Sequence, residues 1–177
     1  MLLLYEQCSR DILSGRCIVS REEAVQFSAL QIQLEHGNHD PKTHKSPFIK
    51  FESYLPREYQ KVKNIERDII KQHMKFYAMS EQNARYRYCQ LVKSLKTFGM
   101  QCFKCKEKQK GKARDIIIGI SQDKIYKMDP KTLENIQTWP ITFLRRWASR
   151  SGQFTLDFGD YADDYLNIIS EDCEDMS

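Results

Sequence analysis

The hydrophobic period of this chain changes at Gly99. Before it, apolar residues recur at helical spacing; after it they alternate. Ala24, Phe27, Leu30 and Leu34 form one stripe behind the capping box Ser20-x-x-Glu23, and Gly37 stops that helix. Leu2–Ser14 reads as an earlier helix ending at Gly15. Leu55-Pro56 leads into a short helix, and Ile65, Ile69, Ile70 and Met74 mark another. Ala84, Tyr88, Leu91, Val92, Leu95 and Phe98 predict a helix over Ser80–Phe98. Past Gly99, seven short strands are expected: Gln101–Lys106, Asp115–Ile120, Lys124–Met128, Asn135–Trp139, Phe143–Ala148, Phe154–Phe158 and Tyr165–Ile169. Turn residues such as Gly111, Asp129-Pro130 and Ser151-Gly152 separate them. The expected class is therefore α+β: a helical domain, residues 1–98, followed by a small antiparallel β sandwich or barrel, residues 99–177.

Charge is distributed as unevenly as structure. No Lys or Arg follows Arg150, whereas eight acids do: Asp157, Asp160, Asp163, Asp164, Glu171, Asp172, Glu174 and Asp175. All 28 bases but only 16 of the 24 acids lie in residues 1–150, so a body of +12 precedes a tail of −8. Two basic groups stand out. Lys104, Lys106, Lys108, Lys110, Lys112 and Arg114 occupy alternate positions, which in one extended chain share a side, opposite Phe103 and Cys105. Lys45, Lys61, Lys63 and Arg67 lie in the helical half, where Lys63, Arg67, Lys71 and Lys75 recur every four residues. Either group alone reads as a solvated face; both in one chain fit an anionic surface better. A third feature, Leu144-Arg145-Arg146-Trp147-Ala148, places two arginines beside a tryptophan in an expected strand. That is either a core Trp between exposed arginines or a recognition strand.

Enzymatic signatures are missing. Asp157-Phe158-Gly159 matches the kinase metal-binding tripeptide, but no Gly-rich loop or catalytic-loop Asp accompanies it, so it reads as a strand end and turn. Cys102-x-x-Cys105 has no second pair at zinc spacing, and the six cysteines read as reduced thiols. His36-x-x-His39 has no evident partner ligands. No cofactor or metal is implied, and neither a signal peptide nor a spanning helix is expected. A nucleic-acid module is the alternative suggested by the +12 body, yet the lysine row has no exposed aromatics between its bases for stacking.

Several segments then carry a resemblance: Leu55-Pro56-Arg57-Glu58-Tyr59, Ala84-Arg85-Tyr86-Arg87-Tyr88, Ser94–Gly99, Lys106–Lys112, Arg146-Trp147-Ala148 and Phe154–Tyr161. In this order they resemble the second and third lobes of a talin-type FERM domain, over nearly the whole chain. The resemblance implies a helical bundle of acyl-CoA-binding-protein type followed by a seven-stranded sandwich of PH/PTB type. It also implies a non-enzymatic cytoskeletal adaptor in the cytoplasm, peripheral to the inner face of the plasma membrane at adhesion sites. Its partners would be an integrin β-subunit cytoplasmic tail, acidic phospholipids such as phosphatidylinositol bisphosphate, and the rest of a talin-like chain that links to actin; nucleic acid is not expected. Arg146, Trp147, Ala148 and Tyr165 would receive the Asn-Pro-x-Tyr region of the tail. Lys106, Lys108, Lys110 and Lys112 would meet the membrane-proximal tail and lipid, and Lys45, Lys61, Lys63 and Arg67 the membrane. Asp68 stands where the family carries a base. The family also closes its third lobe with a C-terminal helix that Glu171–Ser177 cannot form. A truncated third lobe, or an unstable fragment without its own activity, is therefore a further expectation.

Overall fold

The computed structural model describes residues 2–44, 49–109, 111–150, 152–159 and 165–170, with the side chain of Gln109 excepted. The chain forms two compact units, Met1–Phe98 and Gly99–Ser177. Lys45, Lys110 and the segment Glu171–Ser177 lie outside the described residues.

The first unit is built on four helices, α1 (Leu2–Leu13), α2 (Arg21–His36), α3 (Ile65–Met74) and α4 (Glu81–Ser94), with two 3₁₀ turns, Phe51–Tyr54 and Arg57–Tyr59. The box that opens α2 is complete: Glu23 N donates to Ser20 Oγ at 3.2 Å and Ser20 N to Glu23 Oε2 at 2.7 Å. The helix is more deeply set than its stripe implies. Ala24, Val25, Phe27, Ser28, Ala29, Leu30, Gln31, Ile32 and Gln33 are all buried. The amide nitrogens of its buried glutamines are engaged, Gln31 Nε2 donating to Ser9 Oγ and Gln33 Nε2 to the Met79 carbonyl, while Gln31 Oε1 has no partner.

Two expectations for the helices need correction. On α3 the buried face is Ile65, Ile69 and His73, while Met74 is 55% exposed. Asn64, in the left-handed region (φ 63°), precedes the helix as its N-cap. On α4 the helix stops at Ser94 instead of reaching Phe98. Leu95 turns extended (ψ 140°), Thr97 Oγ1 donates to the Ile18 carbonyl, and Phe98 emerges exposed.

The second unit is a seven-stranded antiparallel sheet of β1 (Gln101–Gln109), β2 (Lys112–Ile120), β3 (Lys124–Met128), β4 (Asn135–Pro140), β5 (Arg146–Arg150), β6 (Gln153–Asp157) and β7 (Leu166–Ile169), in the order β4-β3-β2-β1-β7-β6-β5. Trp139 on β4 stacks against Phe158 beyond β6 at 4.7 Å between ring centroids. The two wings of the sheet therefore fold over a shared core, which contains Phe103, Cys105, Ile116, Ile118, Ile125, Phe154, Leu156, Leu166 and Ile168. The fifth strand begins later than expected. Pro140 starts a 3₁₀ turn over Ile141–Phe143, and Arg146 is the first strand residue. Cys102 and Cys105 are buried on opposite faces of β1, opposite Gly119 and Ile116, so they cannot act as a pair.

Candidate binding surfaces

Among the described residues strand β5 terminates the sheet and pairs only with β6, so one edge of its backbone is open there. All five of its residues are exposed. Trp147 is 52% exposed, and its ring lies over Phe154 at 6.0 Å with planes 19° apart, so it rests on the rim of the core. Arg146 is paired through Nε with Asp157 Oδ2 at 3.3 Å. Asp157 Oδ1 also accepts from Gly159 N at 2.8 Å, so the Asp-Phe-Gly tripeptide holds a turn and an arginine. Phe158 of the same tripeptide is a core residue. Gly159 has φ 60°, and a side chain there would meet Arg145 Cδ at 2.7 Å. Trp147 is registered with Leu156 and Leu156 with Leu166. Tyr165, 60% exposed, therefore lies at the same end of the sheet as Arg146 and Trp147.

The alternating lysine row divides at its turn. Lys104, Lys106 and Lys108 are exposed on the face of β1 opposite Phe103, Cys105 and Glu107. On β2, however, Lys112 stands opposite Gln109 and Arg114 opposite Glu107. Directly opposed residues share a face, so Lys112 and Arg114 are on the Glu107 side. An odd register sum across the hairpin reverses the parity that a single extended chain would keep. Asp115, opposite Lys106, offsets part of the lysine face. On the other face Glu107 Oε1 binds Lys127 Nζ at 2.6 Å, both residues below one-tenth exposed. Sequence gave no sign of this pair beyond an acid standing at a core-facing position.

In the helical unit Lys61, Lys63, Arg67, Lys71 and Lys75 are all exposed. Only Arg67 and Lys71 lie within α3; Asn64 separates Lys63 from it, and Lys75 is its C-cap. Asp68, the acid in this basic stretch, is engaged by Arg21 at 2.5 Å. That hydrogen bond holds the Asp68 carboxyl below the usual carboxylate range. The pair is neutral together, so Asp68 removes little charge from the neighbouring lysines.

A four-helix unit followed in sequence by a seven-stranded antiparallel sheet with an exposed edge strand defines a class. Residues 1–103 match the FERM central domain and residues 101–177 the PTB domain of IRS-1 type. The chain belongs to the FERM family. Within it, the chain is 44% identical over 177 residues to Talin-B of Dictyostelium discoideum, covering 99% of this chain and 7% of that protein. It is likewise 44% identical to Talin of Oscarella pearsei over 178 residues, covering 98% of this chain and 7% of that protein. The chain thus spans about one-fourteenth of these two talins. Among solved structures, the MyTH4-FERM MF1 domain of Dictyostelium discoideum Myosin VII aligns over 97% of this chain and 35% of that one, with a TM-score of 0.76 at 13% identity, a likeness of fold. The protein is a talin-type FERM module whose second unit is a PTB-type domain. No helix among the described residues is long and apolar enough to cross a membrane.

Proposed function

We propose that this module binds an integrin-type β-subunit cytoplasmic tail by adding the tail as a strand to β5, and holds to acidic phosphoinositide membrane through its basic patches. The observation that carries the reading is the open edge of β5, with Trp147 presented on the core rim and Arg146 anchored by Asp157. An added strand gains backbone hydrogen bonds along such an edge, and side-chain contacts supply specificity. Trp147, Arg146, Ala148 and Tyr165 are the contacts we assign to the Asn-Pro-x-Tyr region of the tail. Aromatic and arginine anchors of this kind typically cost 2 kcal/mol or more when truncated, roughly thirtyfold in affinity.

Lys106, Lys108, Lys110 and Lys112 are assigned to the membrane-proximal tail and lipid; Lys61, Lys63 and Arg67, with Lys45, to the membrane. Each base at an anionic surface contributes about 1 kcal/mol. The module would then be peripheral at the cytoplasmic face of adhesion sites, with the remainder of a talin-like chain making the link to actin. NMR titration with an integrin β-tail peptide tests the first part: Trp147→Ala and Arg146→Ala should abolish the shifts of β5, and undiminished shifts would refute it. Sedimentation with vesicles containing phosphatidylinositol bisphosphate tests the second, with Lys61→Glu/Lys63→Glu and Lys106→Glu/Lys108→Glu each expected to weaken binding in low salt. Retention of full binding by both variants would exclude these patches.

A further inference from the structure

All four histidines of the chain converge on one place in the helical unit. His36 ends α2, His39 and His44 belong to the loop after Gly37, and His73 lies in the last turn of α3. The His44 ring is 5.5 Å from His39 and 5.4 Å from His73, and His39 is 5.6 Å from His73. One nitrogen from each of these three rings lies within 4.8 Å of the others. His44 and His73 are buried.

The hydrogen bonds leave this group unfinished. His73 Nε2 donates toward Gln33 Oε1 (3.0 Å) and the Gly37 carbonyl (2.8 Å), so its lone pair is on Nδ1. A bond from the second ring nitrogen to a carbonyl is the arrangement that orients metal-binding histidines. His39 Nδ1 is buried without any partner, in a fold whose buried polar atoms are otherwise largely satisfied.

We infer that His39, His44 and His73 form a site for a borderline divalent transition ion of the zinc type, joining the loop after α2 to α3. Three imidazoles with no carboxylate or thiolate suit zinc, nickel or copper, not calcium or magnesium. Tetrahedral Zn–N bonds of about 2.0–2.1 Å bring ligand nitrogens to roughly 3.3 Å of one another, so the site must close by about 1.5 Å at most. The loop makes that adjustment, because His73 is fixed on its helix. His44 gives up one neutral hydrogen bond on ligation, since Asp40 N now donates to its Nδ1 at 3.1 Å. Water completes the coordination.

The test uses untagged protein stripped by chelator, then titrated with zinc against a competing chelator and with cobalt as a spectroscopic probe. The expected result is one ion per chain, visible absorption of tetrahedral cobalt without a thiolate charge-transfer band, and a raised thermal midpoint. His39→Ala removes an Nδ1 that bonds to nothing together with the ring contacts to His44 and His73, so the metal-free protein should stay folded with a modestly lower midpoint while its zinc affinity falls at least tenfold. Equal affinity in both proteins, a thiolate band, or absence of stoichiometric binding would each overturn the inference. Should His39→Ala fail to fold, long-range imidazole ¹⁵N spectra of the unsubstituted protein decide. Zinc must then shift nitrogens of His39, His44 and His73 together, and leaving any of them unmoved refutes the site.

Discussion

Lys127→Met is expected to destabilise the β unit severely, and Glu107→Leu with Lys127→Met together far less. Glu107 and Lys127 face each other at 2.6 Å on the core side of β1 and β3, and their side chains are each 11% exposed. Removing one partner leaves a desolvated charge behind, which costs about 3–5 kcal/mol; replacing both with apolar groups of similar volume is often neutral or stabilising. A unit of roughly 80 residues has a total stability of about 4–12 kcal/mol. The single change therefore removes a large part of it. With a urea slope near 1.5 kcal/mol/M, the midpoint falls by about 2–3 M. Fluorescence reports the correct unit, because both tryptophans of the chain, Trp139 and Trp147, lie in it. A loss below about 1 kcal/mol for Lys127→Met would mean that the pair is solvated, and that Glu107 does not point into the fold.

Gly159→Ala should cost about 1–3 kcal/mol, through its φ of 60° and the 2.7 Å approach to Arg145, with the unfolding midpoint as readout. Ser20→Ala deletes one half of the capping box of α2 and should cost about 1 kcal/mol in urea unfolding of the helical unit followed by circular dichroism. The Asp68 carboxyl titrates below its free value of 3.8 because Arg21 donates to it. Its stabilising contribution is thus present above the unfolded value and lost as pH falls through the folded one. Arg21→Gln should therefore lower the thermal midpoint at pH 7, and that difference should shrink as pH falls from 3.8 through the lowered folded value of Asp68.

Period and turn chemistry carried most of the architecture. Ser20-x-x-Glu23, Gly15 and Gly37 mark helix ends because caps are local interactions, and the alternation past Gly99 marks strands because the core lies on one face. What depended on phase across a turn was not legible. The Lys112–Arg114 segment changes face because the hairpin pairs even with odd positions. His73 displaces Met74 on the buried side of α3, and Phe98 leaves the α4 face once Leu95 becomes extended. The histidine cluster was invisible for the same reason, since His39 and His44 meet His73 only through tertiary packing of a loop on a helix. At β5 the sequence singled out Arg146 and Trp147 but not Asp157, whose role required the β5–β6 register.

The open edge of β5 is the centre of this account, and amide hydrogen exchange on residues 146–150 tests it most directly. With a saturating integrin β-tail peptide, the β5 amides that do not bond to β6 should exchange at least tenfold more slowly, while those of β4, the other edge of the sheet, remain unchanged. Unaltered exchange in β5 with the peptide bound, or protection confined to β4, would contradict strand addition at Arg146–Arg150.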